Sequence, residues 1–310
     1  MEAVARADWT PSRPVRHAGR REAHRGSAAL PRRLGGPLCV VTSSASLQTA
    51  AALATTVFAV YGPAGTGALR FAVAAAVLLV VIRPSLRGRP QRFWLNVAVF
   101  GAVLAALNFS LYEAIARVPL STAVTLQFLG PLALALLGIH RRLDVVWVLA
   151  ASAGVVLLTG GPAGGSDAGI AFALLAAAIT AASVLMARRV ASESRGLDGL
   201  ALAIAAAAVL TLPVAIPAAF NTREAADLAI VGAVGVLGIA VPYALEYAAI
   251  RLVSVKAFSV LLSLDPAIAA LAGLAWLGQT LAPAELLGIG LVVAASAGVM
   301  GSRSPPKQAG

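Results

Sequence analysis

Apolar residues dominate this chain in long runs, and polar residues return only at short intervals between them. Ten such runs can be read, at 38–60, 65–82, 93–114, 120–138, 143–161, 168–189, 196–218, 226–249, 254–277 and 283–301. Each is close to the ~20 apolar residues that an α-helix needs to cross ~30 Å of hydrocarbon. Runs this apolar cannot present a face to water. The pattern therefore predicts an all-α integral membrane fold of ten transmembrane helices joined by short loops.

Composition sharpens this reading. Charged residues make up 12% of the chain and apolar residues 59%, where soluble domains carry about 25% charge. Mean hydropathy is +0.87. Abundant Gly suits close helix contacts in lipid. A net charge of +11 would point to nucleic acid in a soluble protein, but here the placement of the charges explains it. With the N-terminus inside, all but Arg70, Arg117 and Arg223 of the 24 Lys and Arg fall on the cytoplasmic side. That asymmetry predicts a multi-pass cell (inner) membrane protein with both termini cytoplasmic.

Residues 1–36 are Arg-rich and lack apolar periodicity, which predicts a disordered cytoplasmic tail. Arg20-Arg21 is a twin arginine without a convincing cleavage pattern downstream, so an uncleaved tail is expected. A start codon placed too far upstream explains the tail equally plainly. Cys39 is the single cysteine, so no internal disulfide is possible, and His17, His24 and His140 form no metal cluster. No metal or other cofactor is called for.

The chain also repeats itself. Tyr112, Ala114, Leu126, Leu129, Pro131, Ala135, Leu136 and Gly138 recur at one constant offset as Tyr247, Ala249, Leu261, Leu264, Pro266, Ala270, Leu271 and Gly273. The unit is five helices, an odd number, so the second copy enters the membrane from the opposite side. Inverted repeats of this kind characterise secondary transporters with a midplane site. The division is a first repeat at 37–161, a second at 166–301 and a short cytoplasmic tail at 302–310, with the Gly-rich segment Gly160–Gly165 as the joint.

Polar residues inside such spans are costly, about 2.5–3.5 kcal/mol for a charged group on insertion scales, and so face a cavity or a partner. Asp265 stands mid-span immediately before Pro266, and Gln127 lies at similar depth before Pro131. Proline removes a backbone hydrogen bond, so Pro131 and Pro266 are expected to kink their helices. Asn108 and Tyr243 are related by the repeat offset and can offer hydrogen bonds from opposite halves, with Gln48 mid-span in the first helix. Glu246 lies near the inner end of its span, where a structural pair with Arg251 competes with a functional role. Glu113 and Arg117 read as an i,i+4 pair at the outer surface, and Arg70 as the outer start of the second span. Arg70 can there attract a carboxylate or simply anchor the helix. No hydrolytic constellation and no phosphate loop is present, which argues against an enzyme and against ATP as the driving force.

Several segments together resemble the EamA-type members of the drug/metabolite transporter superfamily, and within it the bacterial exporters of threonine and homoserine. They include Gly62-Pro63-Ala64-Gly65-Thr66-Gly67-Ala68-Leu69-Arg70, Gly130-Pro131-Leu132-Ala133, Leu143-Asp144-Val145-Val146-Trp147-Val148, Asp265-Pro266-Ala267 and Leu277-Gly278-Gln279-Thr280-Leu281. The resemblance runs from about Ser43 to Met300. It implies two inverted five-helix halves and export driven by an ion gradient. Three departures bear on the substrate. Gln127 stands where such exporters carry Glu, Asp265 also replaces a Glu, and small residues at Ala181 and Ala182 replace aromatic ones.

The expectation is a proton-coupled exporter of small amino acids working by alternating access. Gln48, Asn108, Gln127 and Tyr243 would bind substrate, and Asp265 and Glu246 would exchange protons. The same architecture with another metabolite or a cationic drug as cargo is the nearest alternative, followed by a membrane enzyme or a scaffold. The partners implied are the bilayer and a small amino acid, not nucleic acid, with a homodimer left open.

Overall fold

The computed structural model describes residues 32–136, 142–159, 166–194, 196–222, 224–250, 252 and 261–302. The basic tail up to residue 31, the Gly160–Gly165 joint, Arg251, the first part of the ninth span and the end of the C-terminal tail lie outside them. The described elements are helical: α1 (Arg32–Thr55), α2 (Phe58–Ile82), α3 (Gln91–Ile115), α4 (Leu120–Leu136), α5 (Arg142–Thr159), α6 (Asp167–Glu193), α7 (Asp198–Phe220), α8 (Ala225–Gly235), α9 (Val241–Ile250), α10 (Asp265–Leu277) and α11 (Pro283–Ser302). A π-helical turn, Val236–Ala240, joins α8 to α9 into one rod. Ten rods therefore follow one another, and six of the described helices are long and apolar enough to cross a membrane.

The ends of α1 and α2 depart from the expected 38–60 and 65–82, for local reasons. Thr55 and Thr56 turn their hydroxyls back onto the carbonyls of Ala52 and Leu53, both at 2.7 Å. These bonds satisfy the last carbonyls of α1 and end it inside a continuous apolar run. The break expected at Gly62-Pro63 exists, with Gly62 in the left-handed region at φ 68°. The helix resumes at once, because proline is pre-set for a first helical position. Arg70 consequently lies ~10 Å along the axis beyond Pro63. It is 8% exposed, so the expectation that it opens the span at the outer surface is corrected. Glu113 and Arg117 do pair across one turn at the end of α3.

The helix contacts have a regular pattern. α3 packs on α6 as α1 packs on the α8–α9 rod, α4 on α6 as α1 on α10, and α3 on α7 as α2 on α8. The pairs α2–α7, α4–α10 and α5–α11 map onto themselves. Small residues let these rods meet closely. A Cβ on Gly130 would run into the Ala177 carbonyl of α6, and Gly154 of α5 faces the Gly288 carbonyl of α11.

Polar clasps close the bundle at both ends. At one end Arg89 reaches Asp198 at 3.0 Å and the Glu193 carbonyl at 3.2 Å. Asn96 donates to both oxygens of the Glu193 carboxylate at 3.0 and 2.9 Å. At the other end Tyr61 bonds Thr222 at 3.0 Å, and the Leu120 amide donates to Gln279 at 3.1 Å. Outward faces carry Val80, Val81, Leu149, Val156, Val209, Phe220, Leu271 and Trp276, all exposed. Such a belt suits lipid and would be a liability in water.

The Gly130–Ala177 approach gives a direct test. Gly130→Val should destabilise the protein by about 1–3 kcal/mol through overpacking, read as a lowered thermal midpoint in detergent. Ala171→Val, on the exposed face of α6, should leave the midpoint in place. Equal midpoints for the two variants would mean that α4 and α6 do not meet at glycine.

Candidate functional site

The site begins with α1. Its segment Ser43-Ser44-Ala45-Ser46-Leu47-Gln48 turns a polar stripe toward the second half of the chain. Ser43 Oγ is 3.1 Å from a Glu246 carboxylate oxygen and 3.2 Å from the Pro242 carbonyl. Ser44 reaches the Asp265 carboxyl. Ser46 donates to the Leu237 carbonyl at 2.7 Å.

That last bond falls on the π turn. Within it the Val241 amide donates to the Val236 carbonyl, five residues back. In the same register the next amide would serve Leu237, but the next residue is Pro242, which has no N–H. The Leu237 carbonyl is left without a backbone donor, and Ser46 supplies one from α1. The wider turn also sets Gly238 against the Arg70 guanidinium, with no side chain between them. Single π turns of this kind occur often at functional sites.

Between the two halves lies a cavity of about 240 Å³. Its polar wall is Gln48, Arg70, Asn108, Tyr112, Gln127, Tyr243 and Glu246, and its apolar wall includes Leu104, Leu107, Ile204 and Ile239. The volume falls below the roughly 300–1,000 Å³ of drug-sized sites, which suits a small metabolite. Asn108 is seated over Gly67, where a Cβ would strike its amide oxygen. Gln127 donates to Thr180 of α6 at 3.2 Å. Arg70 donates from Nη1 to the Tyr112 hydroxyl and lies over that ring, 4.9 Å from its centroid.

The four expected substrate-binding residues, Gln48, Asn108, Gln127 and Tyr243, thus meet in one cavity, and Glu246 joins them. Asp265 does not line it. It is the first residue of α10, after a turn at residues 263–264, and one of its oxygens is buried without a hydrogen-bond partner among the described residues. Pro266 therefore stands at the start of a half-helix, whereas α4 runs on through Pro131. Ala181 and Ala182 take no part in the cavity wall, and Ala182 faces outward. The competing pair Glu246–Arg251 falls outside the described residues. Tyr112, Ser43 and Ser44 carry no such expectation from the sequence, and Arg70, read there as an anchor or a carboxylate attractor at the outer surface, stands in the cavity wall. For Arg70 the signal was a cation inside an apolar run.

Labelling checks this geometry. In a Cys39→Ser background, Gln48→Cys and Asn108→Cys should react with a small hydrophilic thiosulfonate. Leu126→Cys, fully buried in the core, should stay unreacted. Equal labelling of all three would contradict a discrete central cavity.

Comparison with known proteins agrees with this architecture. Residues 167–301 match the model of the EamA-like transporter family. The threonine/homoserine exporter RhtA of Escherichia coli (strain K12) is 36% identical over 84% of this chain and 89% of its own length. That of Salmonella typhimurium (strain LT2) is 34% identical over 84% and 90%. A solved crystal structure covers 86% of this chain and 96% of its own at a TM-score of 0.56 and 24% identity, a likeness of fold. A relative this similar along nearly the whole chain fixes membership, and the chain therefore belongs to the EamA-like transporter family, whose members are membrane transporters and not enzymes.

Proposed function

We propose that this protein exports small amino acids of the threonine/homoserine type across the cell membrane by alternating access, coupled to proton entry. The observation that carries the reading is a cavity walled from both sides of the chain. Gln48, Asn108 and Gln127 come from the first half, and Tyr243 and Glu246 from the second. In this reading residues 37–161 and 166–301 are inverted five-helix repeats with cytoplasmic termini. The exchange of helix contacts between the halves supports it, as does the exporter identity of the relatives.

Glu246 and Asp265 are the coupling pair. Both sit behind the same polar face of α1, where Ser43 serves one and Ser44 the other. A carboxylate that accepts either the substrate ammonium or a proton, but not both, ties the two movements together. Neutral partners at Gln48, Asn108, Gln127 and Tyr243 hydrogen-bond the substrate, and Gln127 keeps its amide oriented through Thr180. The small cavity favours an amino acid over a bulky drug.

The test is efflux of labelled threonine and homoserine from cells expressing the protein. Wild type should export both. Glu246→Gln and Asp265→Asn should each lower the rate by at least about tenfold, as should collapse of the proton gradient. Export that survives an uncoupler would remove proton coupling. Absence of export of either amino acid by wild type would remove the substrate assignment while leaving the family in place.

A further inference from the structure

Arg70 is a buried cation without an ion-pair partner among the described residues. The ion pairs there are Arg89–Asp198, Arg92–Glu193 and Glu113–Arg117. The side chain is 8% exposed, and Nε is enclosed without any hydrogen-bond partner among the described residues. A guanidinium offers five N–H donors, and the bond in place at this site is the one from Nη1 to Tyr112. The Tyr112 ring beneath it contributes a cation–π contact, which steadies the group but does not neutralise it. A charge held this way inside a membrane is expensive unless something pairs with it.

One side of Arg70 is open to such a partner. Gly238, in the π turn, comes up against the guanidinium with no side chain between them. The open side is the cavity shared with Asn108, Gln127, Tyr243 and Glu246. The bond to Tyr112 fixes the plane of the fork, which is the geometry that grips a carboxylate by two parallel bonds.

The geometry points to Arg70, held in place by Tyr112, as the anchor for the carboxylate of the transported molecule. This rests on the transport reading above and adds the chemical class that the site selects, a free acid in place of its neutral or cationic derivatives. With the acid on Arg70, an ammonium on the same molecule is left for Glu246 in the opposite half, so one small zwitterion spans the interface between the halves. A purely structural reading makes Arg70 a staple for Tyr112, and that reading predicts no preference between an acid and its amide.

Counterflow of labelled threonine in proteoliposomes separates these readings, with unlabelled threonine, threonine amide and inorganic phosphate as competitors. Wild type should be inhibited by threonine and hardly by the amide, a ratio that needs no variant to measure. Phosphate that competes as well as threonine would mean a general anion site and overturn carboxylate selection. Arg70→Lys, which keeps the charge and loses the fork, should raise KM for threonine roughly tenfold with kcat little changed. Arg70→Gln should lower threonine transport on the order of a hundredfold and bring the acid-to-amide ratio near one. Equal inhibition of wild type by acid and amide, or unchanged KM in both variants, overturns the inference while transport stands. Wild-type liposomes that carry no amino acid overturn the transport reading and this inference together.

Discussion

Hydrocarbon offers no hydrogen bonds, so every polar group in the membrane part of this chain must find its partner inside the bundle. That constraint shapes the structure more than any single apolar contact. Lipid is as apolar as leucine, and the helices gain little by hiding Leu from it. They gain instead by close backbone approach and by satisfying one another's polar atoms. Gly130 against Ala177 and Gly154 against Gly288 are the first device. The serine stripe of α1 is the second, serving a carboxylate, a carboxyl and an orphaned carbonyl on three elements of the other half.

The same constraint explains where the helices are irregular. Pro242 removes a donor inside the rod formed by α8 and α9, the register widens to a π turn, and Ser46 repairs the loss from across the interface. α10 starts inside the bundle at Asp265, directly before a proline, which needs no donor there. Both irregularities lie where the two halves meet, and neither is on the lipid face. Irregular backbone at membrane depth is tolerated where protein or a cavity covers it. In the cavity wall satisfaction is left incomplete at Arg70, whose Nε has no hydrogen-bond partner among the described residues.

The clasps at the bundle ends bear on movement. Arg89, Asp198, Asn96 and Glu193 tie α3 to the corner between α6 and α7, and Tyr61 with Thr222 ties α2 to the end of α7. Each clasp joins the first half to the second with a few hydrogen bonds near the surface. Bonds of this kind are worth about a kilocalorie apiece net, which holds a state without locking it. Arg89, in the loop after α2, thus serves as a tie between the halves.

The sequence alone made the helical, membrane-spanning character of the chain legible, because hydrophobic length is a local property that no packing can hide. It also carried four of the cavity residues, Gln48, Asn108, Gln127 and Tyr243, since an amide or phenol within an apolar run needs a reason to be there. It misplaced Arg70, because the run of Gly and Pro before it reads as a loop, whereas Gly62 takes a left-handed turn and lets the helix continue past Pro63. It gave Asp265 the centre of the site, because depth along a helix is legible but the direction a side chain takes is not. Only the packing of α1 against the second half decided that Glu246 faces the cavity and Asp265 sits behind it, since that choice depends on contacts between residues about two hundred positions apart.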